Sequence, residues 1–367
     1  MNKVQFGSNR YNTVFILGIK SYDLTVMETI VSGQIRKENL EKSLEKNYST
    51  VSTLWSGHQL EWINGVYQPY KDHDKYLIAI YLIKKTFDFY SKNFVKQSLN
   101  EYFEKDAIEI DTLNVMEVSK VLNIPKESAR RKINELEKSG AIKRVNKTMI
   151  IDKAAFPIVK PEKSITRVSR FLSSLSITLC DEKVLAKEYD TSSIQVFIEK
   201  NFSFIWKLYY ELQIPMVLSW KKIFGDIETF HVWAVCVVNQ QLNSKREVNF
   251  KMNKKSYIKE LLYDHNSKDR GVNAMSISDI SGIPRATVIR KLKILMKKKY
   301  LKINDKKHYS ITGIHQEQII LRHKINYSHL AEFTSRVFNF MIIEQSQKKF
   351  NKNDEKRPYY YPGNFKI

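Results

Sequence analysis

Between residues 116 and 151 the apolar positions keep a helical rhythm, break it, resume it and then alternate. Val118, Val121 and Leu122 mark one face of a short helix. Asn123 stands where that helix has to stop, because asparagine enters the left-handed backbone region at low cost. Ile124 follows as an apolar plug for the small core inside the turn. Pro125 suits the first position of a new helix, where its missing N–H costs nothing. Ala129, Ile133 and Leu136 share a face of this second helix, and Gly140 ends it. The run Ile142-Lys143-Arg144-Val145, a turn at Asn146-Lys147 and the return Met149-Ile150-Ile151 predict a short hairpin.

The pattern occurs a second time. Met116, Ser119, Ile124, Pro125, Arg131, Lys132 and Leu136 correspond without gaps to Met275, Ser278, Ile283, Pro284, Arg290, Lys291 and Leu295. Val118, Val121, Ile133 and Ile142 meet Ile277, Ile280, Leu292 and Leu301, and Gly282 takes the place of Asn123. Val288, Leu292 and Leu295 form the second apolar face. The second hairpin runs Leu301-Lys302-Ile303, turns at Asn304-Asp305 and returns through His308-Tyr309-Ser310-Ile311. Upstream, Glu45-Lys46-Asn47-Tyr48-Ser49 matches Glu199-Lys200-Asn201-Phe202-Ser203. In that frame Trp55, Gln59, Tyr70, Asp72 and Tyr76 meet Tyr209, Gln213, Phe224, Asp226 and Phe230, and Lys324 to Ser328 offers the start of a partial third copy. The repeat predicts a mainly α fold: a duplicated unit of a helical pair followed by a winged helix-turn-helix with a small β-hairpin wing.

The run from Gly282 to Leu295, GIPRATVIRKLKIL, resembles the winged helix-turn-helix of IclR-type transcription regulators. The run from Asn123 to Leu136, NIPKESARRKINEL, resembles it more loosely. The resemblance covers about 40 residues in each copy, the size of one compact module. It implies that the second helix of each pair enters the major groove of duplex DNA. It stops at the module: where the family carries an effector-binding domain, this chain has aromatic-rich helical segments.

Charge strengthens that reading. The chain has 61 Lys+Arg against 39 Asp+Glu, a formal charge of +22, which favours a polyanionic partner. Lysine also accumulates with base composition, so the total supports without deciding. On the first recognition helix the expected DNA-facing residues are Lys126, Ser128, Arg130, Arg131 and Asn134; on its wing they are Lys143, Arg144 and Lys147. On the second helix they are Arg285, Thr287, Arg290, Lys291 and Lys293; on its wing, Lys302, Lys306 and Lys307. Arginine at the shared position 131/290 can pair bidentately with guanine, and Asn134 with adenine. Ser128 and Thr287 lie in first turns, where hydroxyl and backbone N–H groups meet phosphate. The wing cations suit phosphates or the minor groove.

No P-loop, G-x-G-x-x-G, G-x-S-x-G or HExxH occurs, and the eight histidines form no compact metal set, so neither an enzyme nor a cofactor or metal site is expected. Cys180 and Cys236 form no CxxC pair. The apolar runs Val14–Ile19 and Val232–Val238 are too short for a signal peptide and a membrane span respectively, so a cytoplasmic protein is expected. The aromatic residues of 202–233 are expected in the core. The divisions are 1–38, an N-terminal packing segment; 39–160, with its winged module at about 111–153; 161–193, a connector; 194–315, with its module at about 272–312; 316–347, C-terminal helices; and 348–367, a basic tail. The expected function is sequence-specific binding of double-stranded DNA by a transcription regulator, one chain acting as a pseudo-dimer. A plasmid- or phage-type replication initiator and a non-catalytic assembly protein are the alternatives.

Overall fold

The structure is a computed structural model, and it describes residues 33–110, 113–146, 148–155, 160–245, 254–263 and 271–354. The chain divides into a large unit, Lys37–Ser335, and a smaller one made of Met1–Arg36 and Arg336–Ile367. In the smaller unit the Asn339 side chain brackets Ile35, accepting from its N–H at 2.7 Å and donating to its carbonyl at 2.9 Å.

The protein is mainly helical, with two small antiparallel sheets. Its first half runs α1 (Lys37–Lys46), α2 (Tyr48–Tyr67), α3 (His73–Lys92), α4 (Leu99–Phe103), β1 (Ala107–Ile110), α5 (Val115–Leu122), α6 (Lys126–Lys138), β2 (Lys143–Val145) and β3 (Thr148–Asp152). After α7 (Glu162–Asp181), a similar order follows: α8 (Thr191–Lys200), α9 (Phe202–Phe224), α10 (Ile227–Lys245), α11 (Lys254–Tyr263), α12 (Ala274–Ser281), α13 (Arg285–Lys297), β4 (Leu301–Ile303) and β5 (Tyr309–Ile311). Helix α14 (Gln316–Asp354) closes the described chain.

Matched residues do the same local work in both halves. Asn47 and Asn201 each donate a side-chain N–H to the carbonyl four residues back, at 3.1 and 3.0 Å. Asp72 caps α3 by accepting from Lys75 N–H at 3.1 Å, and Asp226 accepts from Thr229 N–H at 2.7 Å at the start of α10. Asn114 caps α5 and Asn273 caps α12. Both short helices end on a left-handed residue, Asn123 at φ 49° and Gly282 at φ 69°. In both turns a serine closes the loop: Ser119 Oγ donates to the Ile124 carbonyl and Ser278 Oγ to the Ile283 carbonyl, each at 2.7 Å. Ile124 and Ile283 are buried. Pro125 and Pro284 are the residues just before α6 and α13, in extended conformation, one position earlier than expected.

Helix α2 packs on α10 and α9 on α3, so the two halves share one core. Trp55, Trp206, Tyr209, Trp220, Phe224 and Trp233 fill it, which places the aromatic residues of 202–233 inside. Helix α3 carries α5, α6 and β1; helix α10 carries α12, α13 and β5. The first sheet has the order β1-β3-β2, with Ile108 opposite Ile151 and Lys143 opposite Ile150. In the second, β4 pairs with β5, and Val272 adds a single bridge to Tyr309.

Some expectations shift. Val121 and Ile280 are 42% and 43% exposed, because the buried stripe of the first helix runs through Val118 and Leu122 and passes beside Val121. The stretch 161–193 contains the 20-residue α7, whose Ile165, Val168, Leu172, Leu175 and Leu179 are buried against α2 and α8. Of the stretch 348–367, residues up to Asp354 continue α14 and the remainder lies outside the described residues, as does the apolar run 14–19. Among the described residues no helix is long and apolar enough to cross a membrane.

Candidate nucleic-acid interface

Helices α6 and α13 each bury one apolar stripe, Ala129, Ile133 and Leu136 or Val288, Leu292 and Leu295. That packing turns most of the remaining positions outward, with Lys291 buried beside the stripe of α13. On α6, Lys126, Arg130, Arg131 and Asn134 are exposed and Ser128 is half-exposed. On α13, Arg285, Arg290 and Lys293 are exposed and Thr287 is half-exposed. In both cases residues from the first turns share an outward face with basic residues one and two turns on. The hairpins add Lys143 and Arg144 beside α6, and Lys302, Lys306 and Lys307 beside α13, all exposed. Lys147 lies outside the described residues.

The two faces differ in charge. Helix α6 carries five cations and three carboxylates; α13 carries five cations and no carboxylate. Around α6 the carboxylates are engaged. Glu127 pairs with Arg130, Arg131 Nε lies 3.8 Å from Glu135, and Arg144 lies 3.2 Å from Glu137. Lys143 lies 2.9 Å from Asp152. Glu135 also accepts from Lys75 at 2.6 Å, a hydrogen bond that holds its carboxyl below the usual range. Around α13, among the described residues, no carboxylate lies within pairing distance of Arg285, Arg290, Lys293, Lys302 or Lys307. Exposed pairs such as Arg130–Glu127 hold together weakly, by about 0–1 kcal/mol, but they cancel the outward field that a polyanion would meet.

Lys291 corrects the expected set. It is 6% exposed and faces the scaffold, with Nζ 2.7 Å from Asp226 and 3.5 Å from Glu228 at the start of α10. With its amine buried and turned towards these half-exposed carboxylates, Lys291 does not reach the outward face of α13. Its counterpart Lys132 behaves alike, pairing with Asp72 at the start of α3 and lying 4.0 Å from Asp74. The matched pairs 72/226 and 132/291 are visible in sequence; that each Asp meets its Lys is visible only in the fold.

Two of the described histidines bind within the protein. His315 donates from Nε2 to the Lys298 carbonyl at 2.7 Å, and His323 packs edge-on against Trp220 and Tyr48. Among the described residues no cluster of His, Cys, Asp or Glu could hold a metal ion. Cys180 and Cys236 are free thiols. No family model matches the chain, and neither a curated protein nor a solved structure matches it.

Proposed function

We propose that the protein is a sequence-specific binder of double-stranded DNA that acts as a transcription regulator and reads its site with two winged helix-turn-helix modules. The modules are residues 107–152 and 272–311. The observation that carries the reading is the outward face of α13, where Arg285, Arg290 and Lys293 are exposed with no carboxylate partner among the described residues. A surface that repels itself in this way is stabilised by a polyanion. The left-handed turn and the hairpin that flank this face fit a helix held for the major groove. Arg290 and Arg131 are the proposed base readers, and Arg285, Lys293 and the wing cations the phosphate contacts.

The test is selection of bound duplexes from a random library, followed by titration of the enriched site against salt. The reading expects an enriched motif and a log–log slope of affinity on salt of about −4 to −8, corresponding to roughly five to nine neutralised phosphates. No enrichment together with a flat salt response contradicts it.

A further inference from the structure

Ion pairs tie each basic helix to one scaffold helix, and a histidine pair ties the two scaffold helices together. At the start of α3, Asp72 pairs with Lys132 of α6, and Asp74 accepts from Lys221 at 2.9 Å. Lys221 also reaches the carbonyl of Leu122, the last residue of α5, at 3.4 Å. At the start of α10, Asp226 and Glu228 hold Lys291 of α13. Between these two helix starts stand His73 and His231, 2% and 0% exposed, with His73 Nε2 3.0 Å from His231 Nδ1.

The direction of that contact follows from its far end. His231 Nε2 lies 2.6 Å from Asn64 Oδ1, which can only accept, so His231 Nε2 donates and its Nδ1 accepts. His73 Nε2 therefore donates to His231. Its own Nδ1 has no hydrogen-bond partner and lies 4.0 Å from Glu228 Oε1, on the carboxylate that also holds Lys291. Burial, with Lys291 and Lys132 nearby, pushes His73 down to about 3; burial pushes His231 down as well. Both rings are neutral, and a neutral donor–acceptor chain works only with both rings in one relative position. Shifting α3 against α10 would leave orphaned polar atoms in the interior, which is costly.

We propose that His73 and His231 are positioning residues: their bridge fixes the separation and rotation of α6 relative to α13, and so sets which spacing between two DNA half-sites the chain accepts. The second clause rests on the DNA-binding reading above; the first does not. The spacing is a property of the core and not of the exposed faces that touch DNA.

The experiment uses the full chain with Cys180→Ser and spin labels on Lys138→Cys and Lys297→Cys, at the last residues of α6 and α13. The parent gives one narrow distance distribution. His73→Leu, which removes the donor, gives a broadened or shifted one with cooperative melting retained. His73→Gln, whose amide can donate to His231, returns the narrow one. If His73→Leu does not fold, His231→Phe, which removes the acceptor, cuts the bridge from its α10 side and carries the same expectation. A distribution unchanged from the parent in the cut variant overturns the proposal. A second readout uses the duplex selected by the parent, with roughly five base pairs inserted between half-sites, about half a helical turn. Parent affinity drops about tenfold or more, and that of the cut variant less than about threefold. Equal spacing selectivity in both overturns the proposal. Failure of the parent to bind any duplex overturns the DNA-binding reading alone and leaves the distance measurement to judge the bridge.

Discussion

The segments 114–152 and 273–311 are built with the same turn: an asparagine cap, a left-handed residue, a buried isoleucine and a serine that closes on its carbonyl. They hang on the scaffold by the same device, an Asp at a helix start gripping a lysine of the second helix. They part company on the outside. The first covers its arginines with Glu127, Glu135 and Glu137; the second leaves Arg285, Arg290 and Lys293 without carboxylates among the described residues. Construction is shared and outward charge is not. In the proposed reader the second segment supplies most of the attraction to phosphate, and the first contributes register and base contacts.

The grips differ in depth, and that gives the largest expected effect. Lys291 is 7% exposed at its side chain and Lys132 13%. The carboxylates that hold Lys291 are 41% and 34% exposed, so removing the lysine leaves charges that water reaches and costs about 1–3 kcal/mol, less than in a fully buried pair. Lys291→Met is expected to lose stability in that range in urea unfolding. Arg290→Ala, on the exposed face, is expected to stay within about 0.5 kcal/mol of the parent. If Lys291→Met is as benign as Arg290→Ala, the inward placement of Lys291 is wrong.

The scaffold that both segments share has its own signature. Burial pushes His58 and His73 down to about 3 and His323 to about 4, with His231 also lowered. In the unfolded chain these rings take up protons from about 6.5 downwards, and the folded chain refuses them. Stability is therefore fully present above that pH and is lost as pH falls from about 6.5 towards 4. Each ring contributes a slope of up to about 1.4 kcal/mol per pH unit. A melting temperature independent of pH between 6.5 and 4.5 contradicts the neutral, buried assignment.

What the sequence could show was local. Turn chemistry, the two apolar stripes and the hairpins depend on neighbours within a few positions, and the repeat doubled each signal. The facing of Arg290 and Lys291 was local as well: Lys291 stands three positions after Val288 and four before Leu295, on the buried stripe, while Arg290, about 100° round the helix, faces out. Only the fold shows that the carboxylate meeting the inward lysine is that of Asp226. Val121 and its counterpart Ile280 belong to the apolar pattern of the short helices yet are exposed, because an eight-residue helix buries a stripe too narrow for every apolar side chain it carries. The histidine bridge joins residues with no pattern in common at all.

The smallest expected effect inverts the comparison. Glu127→Gln, Glu135→Gln and Glu137→Gln together strip the first segment of the carboxylates that screen its arginines. Duplex affinity at low salt is expected to rise several-fold, in line with exposed pairs worth about 0–1 kcal/mol each. An unchanged or lower affinity would mean that the first segment meets no polyanion.

The central claim is tested most directly by the salt slope of duplex binding in two matched variants. One carries Arg285→Ala, Arg290→Ala and Lys293→Ala; the other Lys126→Ala, Arg130→Ala and Arg131→Ala. Each phosphate that is no longer neutralised reduces the steepness of the slope by about 1. The α13 set is expected to reduce it by about 2, through Arg285 and Lys293, and the α6 set by about 1 or less. Equal reductions from the two sets, or a parent whose binding ignores salt, would contradict it.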